Sequence, residues 1–254
     1  MPSNRTTFGK AIRRSGIPLE YAVSKLLEDL NVLPKGKYFY EVDSETRETD
    51  LWGLKGWVSG PNEVQHVWFM ECKQREGEKT WCFFPPAANV LDLSRNAFLI
   101  ETLIAGDDLN PGRLRGLLNP ILPELPVVGE GVEAYRNAQG SWTTNNQAVT
   151  NATRQAIMPI GHHMPFVLER NFVLDYEGQQ LALYLPIVVT TAKLYRLEES
   201  CGWKDLSSFD EIEECFVREP ALLSSFTTPT YVSRYWTETI RSYMIQIEQR
   251  YPDV

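Results

Sequence analysis

The feature that most limits what this chain can fold into is the run Val67-Trp68-Phe69-Met70, which ends in Glu71-Cys72-Lys73. Four consecutive large apolar side chains leave no position for a solvated face, so the run reads as a central strand covered on both sides. Side chains alternate along a strand, which sends Glu71 and Lys73 to one face and Cys72 to the other. An acid and an amine at the end of such a strand are costly to bury singly, but not when paired around a metal ion and a phosphate.

The segments upstream give this strand a setting. Gly16-Ile17-Pro18 precedes a stripe of Ala22, Val23, Leu26, Leu27 and Leu30 at helical spacing, and Pro18 suits the first turn. Glu20 neighbours Val23 and Leu27 on that helix, so its carboxylate lies at the border of the buried face. A turn at Pro34 and Gly36 leads to Tyr38, Tyr40 and Val42, which alternate as in a half-buried strand. A second turn, at Ser44-Glu45, opens a strand through Asp50, Leu51 and Trp52, and Gly60-Pro61-Asn62 reverses the chain into the strand from Val64 to Lys73. A hairpin of that form carries Asp50 toward Glu71.

Downstream, the pattern predicts a short strand from Trp81 to Phe84, a helix from Arg95 to Ala105 and an irregular stretch from Asn110 to Gly131. A helix from Asn145 to Ile157 follows, with Ala148, Ala152 and Ala156 forming a smooth face, then one or two strands between Leu181 and Leu197. A short helix near Phe209 to Val217 and a C-terminal helix with Trp236, Ile240, Tyr243, Met244 and Ile247 complete the reading.

Composition sets bounds on function. With 254 residues and 43% hydrophobic content the chain can bury a full core, and we expect one domain over 1–254, with core motifs in 18–84 and elaboration in 85–254. Four scattered cysteines read as reduced thiols of a cytoplasmic protein. The longest apolar run, Leu181 to Val189, contains Pro186 and is shorter than the roughly 20 residues of a membrane span. A net charge of -8 argues against coating nucleic acid by bulk electrostatics. It is compatible with an enzyme that gathers carboxylates around a metal, and Lys35, Lys37, Lys55, Arg113 and Arg115 are candidates for a basic rim.

Two convergent carboxylates suit Mg2+, a hard cation that keeps several waters and a substrate phosphate in its shell, with Mn2+ as an alternative. Lys73 would orient the attacking water or stabilise transition-state charge, and Glu20 would bind the metal through water or help hold a second ion. Glu20 in the first helix, Asp50 in Arg47-Glu48-Thr49-Asp50-Leu51-Trp52 and Glu71-Cys72-Lys73 together resemble the PD-(D/E)xK nuclease superfamily over residues 18 to 75. Thr49 stands where that family's proline would be. The resemblance implies a restriction-endonuclease-like α/β fold, a mixed central sheet flanked by helices, with a C-terminal elaboration. It also implies a metal-dependent nuclease acting on DNA, less often RNA, in prokaryotic or phage defence, with Asp50, Glu71 and Glu20 as metal ligands. A polar residue from the helix after the third strand would assist, Gln147 or Arg154 here. A homodimer or a partner subunit would suit cleavage of both strands of a duplex. The rivals are a catalytically silent restriction-fold protein that binds nucleic acid or a partner, and an interaction domain whose acid-x-lysine arose by chance.

Other features carry less. Adjacent His162 and His163 diverge on any regular element and read as structural or surface residues. Cys72 reads as a buried inert thiol, and Trp52, Trp57, Trp68 and Trp81 as core and edge packing. No GxSxG, GxxxxGK[ST] or GxGxxG occurs, which removes the usual hydrolase elbow and phosphate loops.

Overall fold

The computed structural model describes residues 9, 11–12, 14–59, 62–75, 79–86, 99–103, 125–173, 180–198, 208–217 and 230–234. Helix α1 (Ile17–Asp29) has a proline in its first turn and buries Leu19, Val23 and Leu27. Its buried stripe begins one turn earlier than expected, at Leu19, and leaves Ala22 exposed. Three strands then form an antiparallel meander: β1 (Leu33–Val42), β2 (Glu45–Ser59) and β3 (Asn62–Lys73). Asp43 and Ser44, the two residues between β1 and β2, have φ of 50° and 64°. A two-residue hairpin turn matched to strand twist requires that left-handed pair.

The remaining elements are β4 (Thr80–Phe83), β5 (Leu99–Leu103), β6 (Val127–Val128), β7 (Gly131–Arg136), β8 (Trp142–Asn145), α2 (Gln147–Val173), β9 (Gln180–Thr190), β10 (Lys193–Leu197), β11 (Phe209–Ile212), β12 (Glu214–Val217) and β13 (Thr230–Arg234). The first sheet has the order β1-β2-β3-β9-β13-β12-β6, with β5 also paired to β9. It is mixed, because β9 runs parallel to β3 along its whole length, from Glu63 opposite Gln180 to Lys73 opposite Thr190. The second sheet has the order β11-β10-β4-β7-β8.

The double coverage expected of β3 is observed. Trp68, Met70 and Cys72 join Leu19, Val23 and Leu27 of α1 in one core cluster, while Val67 and Phe69 pack with Ile160 of α2 on the other face. Burial of side chains this large contributes about 2 kcal/mol each. Ala152 and Ala156 let α2 lie close to both sheets, since they touch the cluster of Trp81, Phe83 and Leu194 as well as Val188.

The two sheets share a continuous ribbon. The parallel pair β3/β9 leaves the first sheet at Lys73 and Thr190 and resumes as the parallel pair β4/β10 in the second. The crossing is tied by Thr191, whose hydroxyl accepts the Arg75 amide at 2.7 Å and donates to the Arg75 carbonyl at 2.9 Å. The Thr190 hydroxyl donates to the Lys73 carbonyl at 3.0 Å.

Several sequence expectations are corrected. Leu99–Leu103 is a strand paired with β9, not helical, and Phe209–Val217 is two strands, β11 and β12, not one helix. Glutamates favour a helix in isolation there, but pairing with β10 and β13 buries Cys215, Phe216 and Val217 and outweighs that preference. Helix α2 runs on to Val173, well past Ile157, through Pro159 and Gly161. Arg113, Arg115 and the C-terminal helix expectation lie outside the described residues. Among the described residues no helix is long and apolar enough to cross a membrane, and Cys72, Cys82 and Cys215 are free thiols.

Candidate active site

The hairpin brings Asp50 and Glu71 together, through a local irregularity in β2. Leu51 opposes Met70 on β3, so Asp50 and Glu71 occupy the next rung. On the β1 side, Gly36 opposes Trp52 and Tyr38 opposes Thr49, so Lys37 alone faces both Asp50 and Leu51. This bulge changes the alternation. Thr49 faces α2, donating to the Gln155 carbonyl at 2.9 Å, and Trp52 packs on the same side, whereas Leu51 belongs to the α1 cluster. Asp50 sits in the extra step and directs its carboxylate across to β3, where Oδ2 accepts the Cys72 amide at 2.8 Å. Bulges of this kind commonly re-aim a side chain beside a site.

Glu71 is only 2% exposed and lies on the α2 face, with Val188 as its rung neighbour on β9. Its Oε1 accepts a hydrogen bond from the Lys73 ammonium. Its Oε2 is buried and has no hydrogen-bond partner. Burial pushes the Glu71 carboxyl up to about 7, and the Asp50 charge adds to the rise, while Lys73 and the Asp50 backbone amide oppose it. A buried carboxylate oxygen with no donor is a position that a proton or a cation would occupy.

Glu20 stands close enough for its carboxyl to be raised, by partial burial first and then by Asp50 and Glu48, against Lys37 and Lys73. Lys37 makes a 2.5 Å ion pair with Glu48 and also feels Glu20 and Asp50. Burial raises the Tyr40 phenol and the charge of Glu71 raises it further, which puts a hydroxyl at this end of the sheet. Cys72 points into the α1 core as expected, its thiol held strongly protonated by burial.

Other sequence candidates are placed elsewhere. Gln147 is exposed in the first turn of α2, where its backbone N–H is capped by Asn145 Oδ1 at 3.0 Å. It lies eight residues, about 12 Å along the axis, from the Gln155 carbonyl that touches Thr49. Arg154 is likewise exposed. Lys55 donates to the Leu30 carbonyl at 3.1 Å and so serves the end of α1. His163 is buried among the rings of Tyr38, Trp52, Phe69 and Tyr184, which bears out its structural reading.

Sequence reasoning missed a second charged cluster just past Lys73. The Glu133 carboxylate is buried and receives Arg75 Nε at 2.6 Å, Trp81 Nε1 at 3.1 Å and Lys79 Nζ at 3.4 Å. These partners outweigh its burial and hold it below the usual carboxylate range. No local signal marks Glu133, because its partners lie far earlier in the chain and meet it only through the β4–β7 pairing.

The donor set fits a divalent ion in part. Asp50 and Glu71 supply hard oxygen donors at one rung, and Mg2+ commonly takes one or two carboxylates with water and phosphate completing its shell. Among the described residues no group of three or more His, Cys, Asp or Glu side chains is gathered to hold a metal, so Glu20 is a neighbour of the pair and not a third member of a closed cage. Comparison with protein-family models, curated proteins and solved structures gives no match.

Proposed function

We propose that the chain is a metal-dependent nuclease that hydrolyses phosphodiester bonds, with DNA as the first substrate to test. The observation that carries this reading is the buried Glu71 carboxylate, with one oxygen on Lys73 and the other without a donor, on the same rung as an Asp50 carboxylate anchored to the Cys72 amide. The resemblance to the PD-(D/E)xK superfamily supports it. Helix α1 ahead of the hairpin β2–β3 and a mixed sheet with helices on both faces agree with what the resemblance implies, while α2 follows β3 only after β4–β8 and leaves Gln147 and Arg154 exposed.

In this reading Asp50 and Glu71 hold a Mg2+ ion, which when bound supplies an acidified water and charge neutralisation at the scissile phosphate. The chain's own groups do the rest. The Cys72 amide fixes the direction of Asp50. Lys73, 19% exposed, keeps its ammonium paired with Glu71 at rest and turns toward a phosphate oxygen as negative charge grows there. Water oxygen forms the new bond to phosphorus and gives up a proton to solvent, the bond to the leaving sugar oxygen breaks, and that oxygen takes up a proton from solvent. Arg75 and Lys79 share one carboxylate, Glu133, which leaves net positive charge beside the path of the backbone.

The test is incubation of the purified protein with supercoiled plasmid, linear duplex, single-stranded DNA and RNA in Mg2+ or Mn2+, beside Glu71→Ala and Lys73→Ala. Nicking by wild type that drops at least about a hundredfold in both variants supports the reading. Equal activity in all three proteins, or none on any substrate, overturns it.

A further inference from the structure

The second sheet packs on α2 through its inner face, by way of Trp81, Phe83 and Leu194, and strand register assigns the outer one. Lys193, Thr80, Ala134 and Thr144 form one row across β10, β4, β7 and β8. Arg136 and Trp142 are paired further along that face, at the β7–β8 end.

The floor of this face is small: a threonine, an alanine and a threonine. A cation stands toward each side of it, Lys193 on β10 and Arg136 on β7, both exposed. They lie about 12 Å apart, two strand spacings across and two residues along. The Arg136 guanidinium sits over the Trp142 ring at 5.3 Å. Trp142 is nevertheless 59% exposed, although a tryptophan is a large apolar surface to leave in water. Among the described residues, no acid stands in the row between the two cations. Glu211, at the far edge on β11, is engaged by Tyr195 at 3.2 Å and Arg234 at 3.2 Å.

We propose that this outer face seats a single-stranded nucleic-acid segment, its phosphates along Lys193 and Arg136 and one base stacked on the open side of Trp142. Positive charge over a shallow floor with one exposed aromatic is the combination single-strand binders use, because every unpaired base has a π-face and a duplex hides it. The proposal rests on the nuclease reading of the first sheet. Strands β4 and β10 continue the pair that carries Lys73 and Thr190, and only residues 74–79 separate Lys73 from Thr80. This face is the reverse of the α2 side of the ribbon on which Glu71 and Lys73 lie, so a strand held here reaches the proposed site by passing around the ribbon.

Fluorescence anisotropy with a labelled single-stranded DNA of about 12 nucleotides, in EDTA and low salt, measures binding apart from cleavage. Trp142→Ala and Arg136→Ala are each expected to weaken it about tenfold, Trp142→Phe to restore most of the loss, and a duplex of the same sequence to bind several-fold more weakly. A single-stranded RNA that binds as the DNA does also supports the proposal. Absence of binding by wild type, unchanged affinity in the alanine variants, or tighter binding of the duplex overturns it. Trp142 and Arg136 are exposed, so unchanged circular dichroism is expected and separates lost contact from lost fold. Plasmid cleavage in Mg2+ reports on the first site: cleavage without the anisotropy effects sinks the platform alone, and the anisotropy effects without cleavage sink the nuclease reading alone.

Discussion

The Asp50 carboxylate accepts the Cys72 amide across the hairpin, and an asparagine there keeps an acceptor for it. Asp50→Asn is therefore expected to retain near wild-type stability in urea while losing Mg2+-dependent cleavage. Asp50→Ala should lose both, with stability falling by about 1 kcal/mol as the amide goes without its partner. Equal destabilisation by the two changes would show that the hydrogen bond does not hold the rung. His163 gives a separate test through acidity. Burial lowers its imidazole to about 4 from an ordinary 6.5, so between those values the unfolded chain takes up a proton that the folded one refuses. The stability due to neutral His163 is complete above pH 6.5 and falls as pH drops toward 4, by up to about 3 kcal/mol. Glu71, raised to about 7, slopes the opposite way between roughly 4.5 and 7, and is present in both proteins of the comparison. In urea melts from pH 7 to 4, the stability of wild type relative to His163→Phe should therefore fall on acidification, and a constant gap would contradict the burial argument.

At the scale of elements, the first sheet was legible where side chains declare both period and boundary. The apolar run with Glu71 and Lys73 defines β3, the residues around Ser44 define the hairpin, and Ala148, Ala152 and Ala156 define the face of α2. The second sheet was not, because its strands are short and β4 finds its partners far away in sequence, in β7 and β10. In β11 and β12, Asp210, Glu211, Glu213 and Glu214 crowd the segment and mimic a helix. The bulge at Asp50 was equally hidden, since it depends on the register of β1 against β2 and not on either strand alone. Packing at Gly131 tests the second sheet. A Cβ built there would lie 2.7 Å from Phe83 Cδ1 and 3.1 Å from Val149 Cγ1. Gly131→Ala is expected to cost about 1–3 kcal/mol by overpacking the junction of β7, β4 and α2, measured by chemical denaturation. An unchanged midpoint would mean that β7 and α2 are not in close contact.

At the scale of the molecule, α2 serves both sheets, with Ile160 against Val67 and Phe69 and with Ala152 and Ala156 beside Trp81 and Phe83. Thermal unfolding followed by tryptophan emission, which senses Trp68 in one sheet and Trp81 in the other, should therefore coincide with loss of far-ultraviolet circular dichroism in one transition. Two resolved steps would show that the sheets are independent. The acid-and-amine strand was readable from a short stretch of sequence, but its neighbour β9 arrives much later in the chain. During synthesis, Glu71 and Lys73 emerge from the ribosome long before Gln180–Thr190 exists to flank them. A nascent chain thus carries the motif on a raw sheet edge and gains the finished site only late, so the timing of assembly is written into the order of the strands.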